Sequence, residues 1–211
     1  MIVDIHTHIF PDRIAERAVE ALKASSGYNN YADGTAQGLL DSMDEAGIDI
    51  SVSQPILVKP ESFDKTLAHL IEANARERRI ISFAAIHPRC EDIEDKIKVI
   101  KEAGFRGIKL HPFFQNEPLD SDATMRLVDL ASKAGLVTMI HPGADASFPN
   151  VLVADPPKIV RLLEEVKPKK VILAHMGAME FWDEVLCEIA GRDVYFDTSF
   201  SLDVMGRDRF L

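Results

Sequence analysis

The strongest constraint on the fold is a repeat. Short runs rich in Val, Ile and Leu alternate with amphipathic helical stretches, and no antiparallel hairpin signal falls between them. The opening run IVDIHTH is followed by PDRIAERAVEALKAS, where Pro11 starts a helix. The runs IDISVSQPI, IISFAAIHP, FRGIKLHP, LVTMIHPG, KKVILAHMG and DVYFDTS follow, each with a helical stretch before it. Ala-Gly pairs at 46–47, 103–104 and 134–135 stop three helices just ahead of a strand. Seven such alternations predict a parallel α/β architecture, either a (β/α)8 TIM barrel or an open doubly wound sheet. No Gly-rich phosphate loop follows the first strand, which disfavours the dinucleotide-binding form of the open sheet. Polar residues cluster where the strands end: His8, Gln54, His87, His111, His141, His175 and Asp197. Six of the seven histidines lie in or at the end of a strand, and only His69 sits in a helix. Barrels carry their chemistry at that end, so the barrel is the expected fold, as a single domain over residues 1–211.

Composition narrows the classes of function. With 46% hydrophobic residues, the chain can fill one substantial core, and nothing marks a linker. A formal net charge of −10 argues against nucleic acid as a partner. No run of apolar residues is long enough to span a membrane, and Asp4 and His6 interrupt the first run, so it is not read as a signal peptide. Cys90 and Cys187 give no disulfide framework, so a reducing cytoplasm is the expected compartment and both thiols read as buried and structural.

The stretch DIHTHIF carries the first chemical signal. In a regular strand residues i and i+2 share a face, which predicts Asp4, His6 and His8 on one side. Two neighbouring imidazoles offer two nitrogens to one point, as zinc requires; the plain alternative is a pair of half-exposed strand histidines. Across a closed barrel the fifth strand lies opposite the first, so His141 can reach an ion held by His6 and His8, with His175 beside it. In GIKLHP, Gly107, Lys109 and His111 share one face. A lysine inside a barrel needs a partner, and Asp4 is the expected one. His111 and Asp197 are expected near substrate at the mouth, and Phe10, Phe113, Phe114 and Phe148 are candidates for an apolar wall.

Taken in order, DIHTH, GIKLHP, MIHPG, LAHMG with FWDEVL, and VYFDTS resemble the amidohydrolase superfamily, specifically its amidohydrolase 2 branch of TIM-barrel hydrolases and decarboxylases. The resemblance runs from residue 1 to about residue 200. It implies one divalent ion, usually Zn²⁺, with His6, His8 and His141 as ligands and His175 as the acid/base group. The implied reaction is hydrolysis of a C–N or C–O bond of a small-molecule substrate by metal-activated water. The alternative in the same branch is decarboxylation of an aromatic or unsaturated carboxylic acid, and the superfamily's binuclear members offer Lys109 a second role, as a carboxylated lysine bridging two metals.

One departure accompanies the resemblance. The superfamily places an aspartate at the end of an eighth strand, but the seventh expected strand ends near Asp197, and SLDVMGRDRFL supplies no further strand. The pattern reads as a barrel truncated at its C-terminal end. A non-catalytic metal- or ligand-binding barrel is the alternative from another class. Without an eighth strand, the first and seventh present open edges, through which a homodimer can form.

Overall fold

The computed structural model describes residues 1–206. Its strands run in parallel and in chain order: β1 (Val3–Thr7), β2 (Ile50–Ser53), β3 (Ile80–Ser82), β4 (Ala84–Ala85), β5 (Gly107–Leu110), β6 (Val137–Ile140), β7 (Val171–Leu173) and β8 (Tyr195–Phe196). Between them lie α1 (Asp12–Ser26), α2 (Ala36–Ala46), α3 (Phe63–Arg76), α4 (Ile93–Glu102), α5 (Pro112–Gln115), α6 (Asp122–Lys133), α7 (Pro156–Val166) and α8 (Trp182–Glu188). This is the TIM-barrel pattern of alternating parallel strands and helices. The Ala-Gly stops behave as the sequence suggests: Gly47, Gly104 and Gly135 take left-handed φ of 69°, 86° and 74°.

The single third strand expected over IISFAAIHP is divided at Phe83 into β3 and β4, so the strands fill seven barrel positions. Phe83 hands the ladder across the break. Its N–H donates to Ser53 O at 2.9 Å, and the next residue, Ala84, pairs with Ile108 of β5. The ring turns inward over Gly107, where a Cβ would lie 2.6 Å from the ring edge. Glycine at 107 thus makes room for the aromatic plug.

Successive strand residues serve two cores. Val52, Phe83, Met139 and Ala174 pack inside, with Ile5, Val137 and Ile172 against them. Their neighbours Ile108, Leu110, Ile140 and Leu173 pack outward with Leu67, Ile97, Leu127 and Ile159 from the helices. Strands buried on both faces carry apolar side chains on both, hence the continuous Val/Ile/Leu runs.

Among the described residues no strand follows Tyr195–Phe196, and none of their helices is long and apolar enough to cross a membrane. The two ends of the array nevertheless meet: His6 Nδ1 of β1 lies 2.8 Å from Asp197 Oδ2, just past β8. Cys90 is buried as expected, but Cys187 is exposed, because it sits on the outer face of α8.

Candidate metal centre

The first strand departs from regular alternation. Its register with β2 slips between Asp4 and Thr7: Asp4 pairs with Ser51, whereas Thr7 pairs with Ser53. The extra residue is a β-bulge. Ile5 packs into the interior apolar cluster, while His6 also reaches the inner face and approaches Lys109. The bulge is satisfied by side chains: Asp4 Oδ1 accepts from His6 N–H at 3.1 Å, and Gln54 Nε2 donates to Ile5 O at 2.9 Å. This corrects the expectation that Asp4 pairs with Lys109. Asp4 spends its carboxylate on the bulge, and no ion pair joins the two.

Five imidazoles form a contiguous arc around the mouth. Ring centroids are separated by 5.1 Å for His8–His6, 5.2 Å for His6–His175, 4.6 Å for His175–His141 and 4.1 Å for His141–His111. Their hydrogen bonds set where the protons sit. Asp197 accepts from His6 Nδ1, so His6 keeps its lone pair on Nε2. Ser199 O accepts from His175 Nδ1 at 2.8 Å, so the lone pair of His175 is on Nε2. That nitrogen accepts from His141 Nδ1 at 3.0 Å, which leaves His141 with its lone pair on Nε2. His141 Nε2 is buried and has no hydrogen-bond partner. An imidazole whose outer nitrogen is bonded and whose inner nitrogen is bare, as in His141, is in the form a divalent ion binds, whereas His6 Nε2 meets Lys109 Nζ at 3.4 Å.

The His175 loop is held in a costly conformation. His175 and Met176 both take left-handed φ, 57° and 58°. Three contacts hold them there: Asp197 Oδ1 accepts from His175 N–H at 3.0 Å, Asp197 O from Met176 N–H at 2.8 Å, and His175 O from Trp182 Nε1–H at 2.9 Å. Trp182, the first residue of α8, therefore positions His175.

Electrostatics keep the imidazoles neutral. Burial, reinforced by Lys109, lowers His6 from 6.5 to about 4. Burial also holds His111 and His141 well below the usual range and lowers His175. His8, although its surface reaches solvent at the mouth, is shifted the same way by the protein around it and by His6. Lys109 is pulled from 10.5 to about 7 by burial, which Asp197 partly offsets. Burial alone would raise Asp197, but the bonds from His6, His175 and Ser199 hold it well below the usual carboxylate range.

Asp145 was not foreseen. It follows His141 in the loop HPGADAS, and its Oδ2 lies 3.4 Å from His141 Nε2 and 3.6 Å from His111 Nε2. Burial raises its pKa. The sequence signal is a carboxylate four residues beyond a strand-end histidine, but its placement depends on Gly143. At φ 91°, Gly143 runs so close to the neighbouring loop that a Cβ would sit 2.2 Å from Met179 N. His6, His175 and Asp197 form one group with converging ligand atoms, and His111, His141 and Asp145 form a second. The expected trio of His6, His8 and His141 lies along the arc but is divided: His6 and His141 fall in different groups, with His175 between them, and His8 falls in neither. Phe113, Phe114 and Phe148 stack around His111 and His141, whereas Phe10 packs against the loop at Gly34.

A profile of the Amidohydrolase family matches residues 3–209. No curated protein matches the chain. Among solved structures, a TIM-barrel protein of uncharacterised function from Bordetella bronchiseptica shares 13% identity over 93% of this chain and 74% of its own, with a TM-score of 0.71. A probable 2-pyrone-4,6-dicarboxylic acid hydrolase from Acinetobacter baumannii, with citric acid bound, shares 17% identity over 94% of this chain and 70% of its own, with a TM-score of 0.62. A 5-carboxyvanillate decarboxylase from Novosphingobium aromaticivorans, with manganese and a nitrobenzoic acid bound, shares 14% identity over 88% of this chain and 67% of its own, with a TM-score of 0.58.

Proposed function

Because the chain belongs to the amidohydrolase family, we propose that it is a metal-dependent hydrolase cleaving a C–N or C–O bond of a small molecule. His6, His8 and His141 would hold one divalent ion, zinc by their donor chemistry. The observation carrying this reading is His141 Nε2, buried without a partner; the lone pair of His6 Nε2 faces Lys109 Nζ at 3.4 Å, a bond that an ion would displace. When bound, the ion supplies Lewis acidity and lowers the pKa of its water toward about 7.

The chain's own residues supply the rest. Asp197 fixes the His6 ring and, through His175 N–H, the turn that carries the acid/base group. His175 would take up a proton at Nε2 once the bond from His141 Nδ1–H is given up; its Nδ1–H bond to Ser199 O and the nearby Asp197 charge stabilise the imidazolium that results. Lys109, the buried cation beside His6, and the Phe113–Phe114–Phe148 wall suit a substrate with an acidic group and an apolar or unsaturated body. The same wall supports a second reading, decarboxylation of an aromatic or unsaturated acid.

Metal analysis and turnover of the wild type, His6→Ala and His175→Ala test both readings. Hydrolysis predicts about one ion per chain in the wild type, loss of the ion in His6→Ala, and loss of turnover with the ion retained in His175→Ala. Carbon dioxide release without consumption of water would replace hydrolysis by decarboxylation. Bound metal with no turnover on either substrate panel would favour a binding barrel.

A further inference from the structure

We propose that Asp145 is the carboxylate arm of the metal centre, meeting the ion together with His141 Nε2. This rests on the metal-centre reading above and adds a ligand that neither the family pattern nor the strand-end motifs assign. Two carboxylates face the imidazole arc, Asp197 buried and Asp145 half-buried, and they differ in what is left to give. Asp197 is saturated: Oδ2 accepts from His6, while Oδ1 accepts from His175 N–H, Ser199 N–H and the Ser199 hydroxyl. Asp145 has only one oxygen engaged, Oδ1 accepting from Ser147 N–H at 2.8 Å. Its Oδ2 turns to the arc and accepts no hydrogen bond among the described residues.

The atom it faces is the decisive one. The bonds through His175 to Ser199 place the hydrogen of His141 on Nδ1, so Nε2 presents a lone pair to a carboxylate oxygen 3.4 Å away. Two electron-rich atoms held together in a buried site repel unless a positive species stands between them. His111 Nε2, 3.6 Å from the same oxygen, completes a three-sided cradle of nitrogen, nitrogen and oxygen donors. That donor set suits a zinc-like divalent cation. The loop is built to hold it: Gly143 N–H donates to Ala154 O at 2.8 Å, Ala144 N–H to Met179 O at 2.9 Å, and Phe148 N–H to Asp145 O at 2.9 Å.

The test is a cobalt(II) titration of the metal-stripped full chain, followed by the d–d absorption and by competition with zinc. Asp145→Asn keeps the bond from Ser147 to Oδ1, and a thermal melt of the stripped variant checks its fold. The expected result is a loss of affinity of at least 10-fold with a changed d–d envelope. A d–d spectrum and affinity unchanged in Asp145→Asn, with binding lost in His141→Ala, would overturn this proposal and leave the metal centre standing. A weakened affinity with an unchanged d–d envelope would also overturn it, since Asp145 would then only orient His141. Undiminished binding in both His6→Ala and His141→Ala would overturn the centre, and Asp145 would fall with it. Absence of cobalt or zinc binding in the wild type would overturn both.

Discussion

Replacing Gly143 by alanine should unfold the site more than its single methyl suggests. The residue sits at φ 91°, outside the range alanine tolerates, and the added Cβ would lie 2.2 Å from Met179 N, 2.4 Å from Met179 O and 2.6 Å from Ala178 C. Left-handed backbone costs about 1–2 kcal/mol in a residue with a Cβ, and a less flexible unfolded chain returns about 0.4–1 of it. Overpacking adds about 1–3 kcal/mol. Because the obstacles are backbone atoms that cannot rotate away, the loops must part. Parting strains the bonds from Gly143 N–H to Ala154 O and from Ala144 N–H to Met179 O, each worth about 1 kcal/mol. The total is roughly 4 kcal/mol. Gly47→Ala is the matched control, since Gly47 has φ 69° and nothing within 4 Å of its Cβ position. It should lose about 1 kcal/mol, from strain alone. Urea unfolding of the two variants with cobalt removed reads the difference directly. A gap below about 1 kcal/mol between them would refute the close-approach argument.

In the metal-free protein, Lys109→Met should alter the alkaline side of the stability profile. Lys109 binds its proton more weakly folded, at about 7, than unfolded, at 10.5, so wild-type stability should climb between those values, by about 1.4 kcal/mol per pH unit in mid-window, and the variant should lack that climb in urea titrations. The neutral imidazoles act on the acid side: with His6 at about 4 folded against 6.5 unfolded, the unfolded chain takes up more protons as pH falls through that interval. Metal-stripped protein should therefore lose stability from about pH 6.5 downward, and a flat thermal-melt profile there would contradict burial of the arc. Gln115→Ala should cost about 3 kcal/mol in denaturant titrations, because one buried amide accepts from His111 N–H and donates to Leu57 O and Ile86 O.

The barrel order was legible because helix stops and strand starts are local signals: an Ala-Gly pair ends a helix wherever it folds. The histidines were legible because strand ends gather at one face of a barrel, so His6, His141 and His175 could be brought together by topology alone. Three things lay beyond local reading. The division at Phe83 depends on what Gly107 leaves empty across the barrel. The position of Asp145 depends on a loop pressed against Met179. Asp4 was assigned to Lys109 by strict two-residue alternation, and one bulge was enough to break that inference. Asp197, expected at the mouth, bonds there to both His6 and His175.

That bulge also changes the phase of β1 partway along its length. In a regular pleat, inward positions recur every second residue, so Ile5 and His6 could not both serve the interior. The slip between Asp4 and Thr7 lets the strand deliver an apolar plug to the floor and, one residue later, begin the imidazole series of the mouth. The two inward sets are therefore read in different frames. Deleting a single residue between Asp4 and Thr7 would restore perfect alternation, and in doing so would leave the strand able to serve the floor or the mouth, but not both.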